Sequence, residues 1–221
     1  MLISDIIGPV MVGPSSSHTA GADRIGMIAR RILGEEVVFA DIGLHGSFLA
    51  TGRGHGTDRA LVAGIMGIPV DDERIPNSFT IAKERGLFYQ IHGVNLGDEV
   101  HPNSVRLELR GESGKSVELI ASSIGGGRIK VVEIDGIPVS FSGDLATLIV
   151  HNLDQPGYVA EVTSMLEKQS VNIATMQLNR SNRGGNAIMV IECDAEVPEC
   201  TIRSLEALDG VLNVTYISME A

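Results

Sequence analysis

Residues 147–157, Thr-Leu-Ile-Val-His-Asn-Leu-Asp-Gln-Pro-Gly, decide the fold of the C-terminal part of the chain. The apolar run at residues 147–150 favours a buried strand. Pro156 suits the first turn of a helix, with Asp154 and Gln155 before it as candidates for the cap. The stretch therefore predicts a strand that leads directly into a helix.

The same alternation of apolar strands and amphipathic helices continues to the end of the sequence. It predicts a helix with Val159, Val162 and Leu166 on one face, strands over residues 171–178, 187–192 and 211–218, and a second helix over 199–208. The order βαββαβ is the ferredoxin-like arrangement. A change of composition at the polar join 141–144 divides the chain into domains 1–144 and 145–221.

The N-terminal segment predicts a mixed α+β domain whose topology the pattern does not fix. Helices are expected over residues 19–33, 57–66 and 75–85, and strands over 37–44, 87–92, 105–109, 116–123 and 128–134. We interpret residues 45–56, which are rich in glycine, as a rigid loop.

Composition excludes several classes of partner. The 17 Lys+Arg against 28 Asp+Glu give a net charge of −11, so nucleic acid and anionic membranes are not expected partners. No apolar run approaches the length of a membrane span, and residues 1–8 lack the basic start of a secretory signal. Cys193 and Cys200 form no CxxC pair, which favours a reducing cytoplasm.

The first candidate site is the string Gly-Pro-Ser-Ser-Ser-His-Thr-Ala-Gly at residues 13–21. Three serine hydroxyls beside the free N–H groups of a helix start favour an anion. Ser and Thr are also the preferred helix caps, so simple capping is the alternative. Because several polar side chains are crowded together here, we favour a ligand site over a cap.

The second candidate site is Thr-Gly-Arg-Gly-His-Gly-Thr-Asp at residues 51–58. The three glycines allow a ligand to approach the backbone closely. Arg53 offers a fork for a carboxylate, and His55 is placed to act as a general base. Together with residues 13–21, this string predicts a surface that holds a small carboxylated metabolite. Residues 122–127, Ser-Ser-Ile-Gly-Gly-Gly, give a weaker signal for an anion nest or a bulge.

Residues 13–21, 52–58 and 123–127 together resemble the iron–sulfur-dependent L-serine dehydratases, and most closely the β chain of the two-chain bacterial form. Residues 147–221 in turn look like an ACT domain, a ferredoxin-like module of amino-acid enzymes. The resemblance covers nearly the whole chain. It implies that L-serine is deaminated to pyruvate and ammonia, starting with dehydration.

The resemblance also implies which parts of the active site each of the two chains provides. A [4Fe-4S] cluster, ligated by cysteines of the partner α chain, would act as a Lewis acid on the serine hydroxyl. Cys193 and Cys200 match no cluster motif, so we expect no metal ligand in this chain and no activity from it alone.

For the residues of this chain, the resemblance implies His55 as the base for the α-proton, with His18 as the rival and His45 third. The residues expected to grip the carboxylate or ammonium of L-serine are Ser15, Ser16, Ser17, His18 and Thr19. Those expected to orient His55 or to complete the pocket are Arg53, Thr57 and Asp58.

The ACT-like segment has two interpretations. It could bind an amino acid or a cation, with Asp154 and Asn172 as contacts, or it could form a homodimer through its sheet. The runner-up function for the whole chain is an amino-acid-sensing regulatory module, because residues 1–144 also resemble the allosteric substrate-binding domain of some phosphoglycerate dehydrogenases. A purely structural dimerisation partner is disfavoured by the polar residues concentrated in short strings.

Overall fold

The computed structural model describes residues 9–218 of the 221-residue chain. The chain forms two compact units, Met1–Asp135 and Gly136–Ala221. The division falls before the polar join at 141–144, so the strand that precedes this join belongs to the second unit, where it contacts two other strands. Residues 1–8, which were considered above as a secretory signal, lie outside the described residues.

The first unit is a mixed α+β domain. Its helices are α1 Gly21–Leu33, α2 Gly46–His55, α3 Thr57–Ile65 and α4 Ser78–Glu84, with a π-helical turn at Ser16–Ala20 and a 3-10 turn at Ile75–Asn77. Its strands are β1 Val37–Leu44, β2 Phe88–Gly93, β3 Ser104–Gly111, β4 Ser116–Gly125 and β5 Arg128–Ile134. The strands lie in the order β2-β1-β3-β4-β5, with β1 and β2 parallel and the other neighbours antiparallel.

Helix α1 packs on the sheet, mainly on β4, and α3 packs on α1. Glycines let the two helices approach closely. A β-carbon on Gly64 of α3 would lie 2.0 Å from the carbonyl oxygen of Asp23, and one on Gly26 of α1 would lie 2.6 Å from that of Leu61. This close crossing fixes the first half of α1 against the second half of α3.

The prediction of a loop over residues 45–56 was wrong, because most of this stretch is α2. Glycine weakens a helix interior by about 1 kcal/mol relative to alanine. Here the burial of Phe48, which is fully inaccessible, offsets that cost. Gly52 also allows the helix to sit against Thr57, whose Cβ would be 3.1 Å from a β-carbon at residue 52. Gly56, with φ +70°, then ends the helix.

The second unit confirms the ferredoxin-like prediction. Its elements are β6 Ile137–Phe141, β7 Ala146–Leu153, α5 Tyr158–Lys168, β8 Ile173–Arg180, β9 Asn186–Cys193, α6 Glu199–Glu206 and β10 Val211–Ile217. Strands β10-β7-β9-β8 form an antiparallel sheet whose core includes Leu148, Val150 and Ile191. Strand β6 was not predicted. Pro156 lies just before α5 and not in its first turn.

Within residues 9–218, no helix is both long enough and apolar enough to cross a membrane.

Candidate active site

The serine string forms the π-helical turn and the residues that lead into it. Ser15 caps the turn, because its Oγ accepts a hydrogen bond of 3.1 Å from the backbone N–H of His18. The carbonyl of Ser16 accepts from the N–H of Gly21, which is the wide hydrogen bond of a π-helix. The turn leaves Ser15, Ser16, Ser17 and His18 half-buried. The capping interpretation therefore holds for Ser15, and the ligand site stays a prediction for the serines that border the surface.

Strand β4 packs against the π-helical turn and the start of α1. A β-carbon on Gly21 would lie 2.0 Å from Oγ of Ser123, so only glycine fits at this contact. The triple glycine that follows forms the turn between β4 and β5, with Gly126 and Gly127 at φ +64° and +77° between the paired residues Gly125 and Arg128. The register shift between Ser123 and Gly125 agrees with the predicted bulge, and the anion nest stays a prediction. This hairpin therefore contributes packing beneath the turn.

Helix α2 presents a polar face to His18. Ser47, Thr51 and His55 follow at intervals of four residues and so lie on one side of the helix. Nε2 of His18 lies 3.0 Å from Oγ1 of Thr51 and 3.2 Å from Oγ of Ser47. The two candidate strings, which are separate in sequence, thus meet at His18.

The hydrogen bonds indicate which nitrogen of His18 carries the proton. Oγ1 of Thr51 donates to the carbonyl of Ser47 at 2.9 Å, so it accepts from Nε2 of His18. Nδ1 of His18 then accepts from Oγ of Ser17 at 3.2 Å. Burial, together with the neighbouring His55, lowers the pKa of His18 despite an opposing contribution from Ser47. His18 is therefore a neutral ring with both nitrogens engaged by the protein.

His55 is arranged differently. Its Nδ1 lies 3.1 Å from the carbonyl oxygen of Thr51, and because a carbonyl only accepts, Nδ1 carries the proton. The lone pair of the neutral ring is then on Nε2, which no hydrogen bond reaches among the described residues. The rings of His18 and His55 are 4.8 Å apart between centroids. The site therefore offers one half-buried imidazole with a basic nitrogen available for chemistry.

Thr19 and Thr57 lie behind this surface. Thr19 is buried, and its hydroxyl donates to the carbonyl of His55 at 2.9 Å. Thr57 is fully buried against Gly52, and its hydroxyl has no partner among the described residues. In this arrangement neither hydroxyl faces an incoming substrate, and both support the end of α2.

Arg53 and Asp58 do not join the histidine pair. They line a separate pocket of about 460 Å³, together with Leu49 of α2 and residues of β2. At about 100° per residue, Leu49 and Arg53 point away from the face that carries Thr51 and His55. Helix α2 thus stands between the histidine pair and this second pocket. His45 lies apart from both, with Nδ1 3.3 Å from the carbonyl of Val94.

Sequence reasoning missed Ser47 and Thr51 as site residues. The signal for them was the spacing of Ser47, Thr51 and His55 at i, i+4 and i+8. That signal could be used only once the stretch was known to be helical.

The two residues proposed as ACT contacts lie at opposite ends of the second sheet. Asp154 follows β7, where Leu153 pairs with Asn186, whereas Asn172 precedes β8, where Ile173 pairs with Cys193. Asp154 accepts from Nη1 of Arg180 at 2.7 Å and from the N–H of Gly184 at 2.9 Å; these bonds, first the one from Gly184, lower its pKa. Asn172 donates to Oδ2 of Asp194 at 2.5 Å. One chain therefore does not bring the two residues together.

The cysteines of this chain do not fit an iron–sulfur cluster. Cys193 is buried in the core of the second unit, where desolvation, and then Asp194, raises the pKa of its thiol to about 11. Cys200 is exposed on α6. Within the described part of the chain, no three His, Cys, Asp or Glu side chains are grouped so as to hold a metal ion.

Comparison with known families agrees with this architecture. The family model "Serine dehydratase beta chain" matches residues 4–85, which include both candidate strings, and the ACT domain model matches residues 146–210. The fold and the site thus define a serine dehydratase β-chain domain that is followed by an ACT domain.

The chain belongs to the L-serine dehydratase β-chain family, whose members are subunits of a lyase. It is 38% identical over 215 residues to the L-serine dehydratase beta chain of Peptoniphilus asaccharolyticus, covering 97% of each chain. It is 40% identical over 217 residues to the probable L-serine dehydratase beta chain of Bacillus subtilis (strain 168), covering 98% of this chain and 97% of that one. It is also 26% identical to the D-3-phosphoglycerate dehydrogenase of Methanocaldococcus jannaschii, over 90% of this chain and 37% of the relative.

Proposed function

We propose that this chain provides the α-proton base and the substrate cradle of an L-serine dehydratase whose site is completed by an α chain. The observation that carries the proposal is Nε2 of His55, which lies beside the serine-lined turn and has no hydrogen-bond partner within residues 9–218. The β-chain relatives support the partner, because a β chain implies an α chain.

His55 is the better base of the two histidines for a structural reason. A general base needs a free lone pair in a fixed pose. In His55 the carbonyl of Thr51 fixes the ring and leaves Nε2 available, whereas both nitrogens of His18 are already bound. The serines at 15–17 instead offer hydroxyls to the carboxylate and ammonium of L-serine, and His18 holds Ser17 and Thr51 in place beside them.

The reaction of this chain is then a proton transfer. Nε2 of His55 takes the α-proton while the β-hydroxyl leaves as hydroxide, which gives aminoacrylate; the proton on His55 then passes to the hydroxide, so that water is released and the ring returns to its starting state. Aminoacrylate tautomerises to an imine and is hydrolysed to pyruvate and ammonia. The [4Fe-4S] cluster expected on the α chain would supply a Lewis acid for the departing hydroxyl. The neutral state of His18 suits this step, because a positive charge on His18 would repel the charge that His55 acquires when it takes the proton.

For the ACT domain we propose dimerisation through its sheet. Since Asp154 and Asn172 lie at opposite ends of that sheet, a site that uses both needs residues from two copies. Asp154 is already held by Arg180 and Gly184, so an incoming cation or ammonium would have to share it.

The test is anaerobic co-expression with the α chain, followed by measurement of pyruvate formed from L-serine. We expect turnover from the two-chain complex and none from this chain alone. The proposal fails if a complex with an intact cluster spectrum forms no pyruvate, or if this chain forms pyruvate by itself. A sensor role, which the phosphoglycerate dehydrogenase relatives make the alternative, would leave activity to the α chain alone.

A further inference from the structure

The pocket on the far side of α2 has the make-up of a binding site in its own right. Its volume of about 460 Å³ lies in the range of small-molecule sites. Its walls come from α2 and β2, with Phe79 of α4 stacked on Tyr89 at 5.4 Å between ring centroids. The pocket thus has rigid walls that are formed by regular elements.

Two polar groups that line this pocket carry opposite charges and do not pair with each other, whereas a third, His92, is bonded to Asp41 at 2.6 Å. Arg53 and Asp58 both line it, and no ion pair joins them in the part of the chain that the structure describes. Oδ1 of Asp58 accepts a hydrogen bond from the backbone N–H of Arg59. Burial raises the pKa of Tyr89, and the charge of Asp58 adds to this shift. A guanidinium and a carboxylate that face one cavity without pairing suit a ligand that carries both charges.

The remaining wall is aliphatic. Leu44 is nearly buried at the end of β1, whereas Leu49 is 52% exposed, although leucine is usually found inside a protein. Ile91 of β2 also lines the cavity. An aliphatic group bound against these side chains would remove their surface from water, and a hydroxymethyl group would gain much less.

We propose that this pocket binds a free α-amino acid with a branched aliphatic side chain, with its carboxylate on Arg53 and its ammonium on Asp58. The occupant differs from L-serine, and the pocket is separate from the histidine pair, since α2 lies between them. The proposal does not depend on the dehydratase reaction, because binding is measured on this chain by itself.

Histidine side chains lie on both sides of α2, so their NMR signals can show which of the two sites a ligand occupies. His92 lines the pocket, and His18 and His55 line the other site. We expect that titration of the full chain with L-isoleucine shifts the NMR signals of the His92 ring and leaves those of His18 and His55 in place. L-serine should do the reverse. Single substitutions, H92Q, H18N and H55Q, assign the signals.

Two variants test the assigned contacts. Arg53→Gln should weaken L-isoleucine binding by at least about tenfold, since a charge-assisted hydrogen bond is lost. Leu49→Asn, at an exposed position, should weaken it as well. Lys83→Gln, on the exposed side of α4 and outside the pocket, is the matched control and should change nothing.

Three results would overturn the proposal. One is the absence of any His92 shift with L-isoleucine at millimolar concentrations. Another is an equal response of His92 to L-serine, which would make the pocket part of the substrate site. The third is unchanged binding in Arg53→Gln. None of them bears on whether the two-chain complex converts L-serine.

Discussion

The hydroxyl of Thr19 donates a hydrogen bond of 2.9 Å to the carbonyl oxygen of His55, across 36 residues of sequence. Thr19 is buried, so water does not compete for this bond. The bond ties the π-helical turn to the last residue of α2. The serine cradle and the proposed base are therefore positioned relative to each other by the backbone as well as by the side chains.

Replacement of the proposed base should abolish turnover. In the two-chain enzyme we expect His55→Gln to lower kcat by at least about 100-fold, which is the usual contribution of a general base. Pyruvate formation from L-serine measures the effect, and the cluster spectrum shows whether the partner is intact. The exposed His101→Gln is the matched control and should keep full activity. Near-normal turnover of His55→Gln would remove His55 from the mechanism.

Substitution of Thr51 distinguishes the positioning of the substrate from the transfer of the proton. Thr51→Val keeps the carbonyl that orients His55 and removes the hydroxyl that holds His18. We expect KM for L-serine to rise by about 3- to 10-fold, the value of one hydrogen bond, with kcat largely kept. Thr51→Ser should restore KM. A fall in kcat with unchanged KM would show that the hydroxyl acts in the chemical step instead.

The lowered pKa of His18 predicts how stability depends on pH. Burial, and then His55, holds the pKa of His18 in the folded chain below the usual 6.5. As the pH falls through 6.5, the unfolded chain takes up a proton before the folded chain does. The free energy of unfolding should therefore decrease towards acid pH, and less so in His18→Asn. Urea unfolding at pH 7.5 and 5.5 compares the two, and equal losses would contradict the assignment.

The raised pKa of Asp23 predicts the opposite dependence of stability on pH. Burial, and then the charge of Asp71, raises the pKa of this carboxyl from 3.8 to about 8. Between these values the folded chain holds a proton that the unfolded chain has lost, so stability falls as the pH rises. Asp23→Asn cannot ionise and should lose this slope, which thermal unfolding from pH 5 to 8 would show. A slope that persists in the variant would locate the effect at another group.

Alanine substitutions at two helical glycines should change the stability of the fold in opposite directions. Gly64→Ala would press a β-carbon to 2.0 Å from the carbonyl of Asp23 and should destabilise the fold by about 2 kcal/mol. Gly54→Ala meets no atom within 4 Å and should stabilise it by about 0.5–1 kcal/mol. Chemical unfolding of both variants measures the difference. Similar values for the two would mean that α1 and α3 separate easily.

The sequence was sufficient for the second unit because local signals and the fold agree there. Apolar runs, a proline before α5 and a glycine after α6 predict every element from β7 to β10 in the order found, and only β6 was missed. In the first unit the burial of Phe48 outweighed the low helix propensity of the glycines in α2, and burial depends on contacts distant in sequence. For this reason His18 and His55 were each given a role from the sequence, whereas Thr51, which lies in the second candidate string and contacts both, was not.

Because the turn at Ser16–Ala20 is π-helical, the number of residues in this segment determines the geometry of the site. A π-helical turn contains one residue more than an ordinary helical closure of the same kind. Deletion of a single residue there would let the segment close as a regular α-helix, and everything before it would rotate by about 100° about the axis of α1. Ser15, whose Oγ now accepts from the backbone N–H of His18, would then leave that position although its own side chain was unchanged. Among relatives, an insertion or deletion between Ser15 and Gly21 should therefore be more damaging than most substitutions within the same segment.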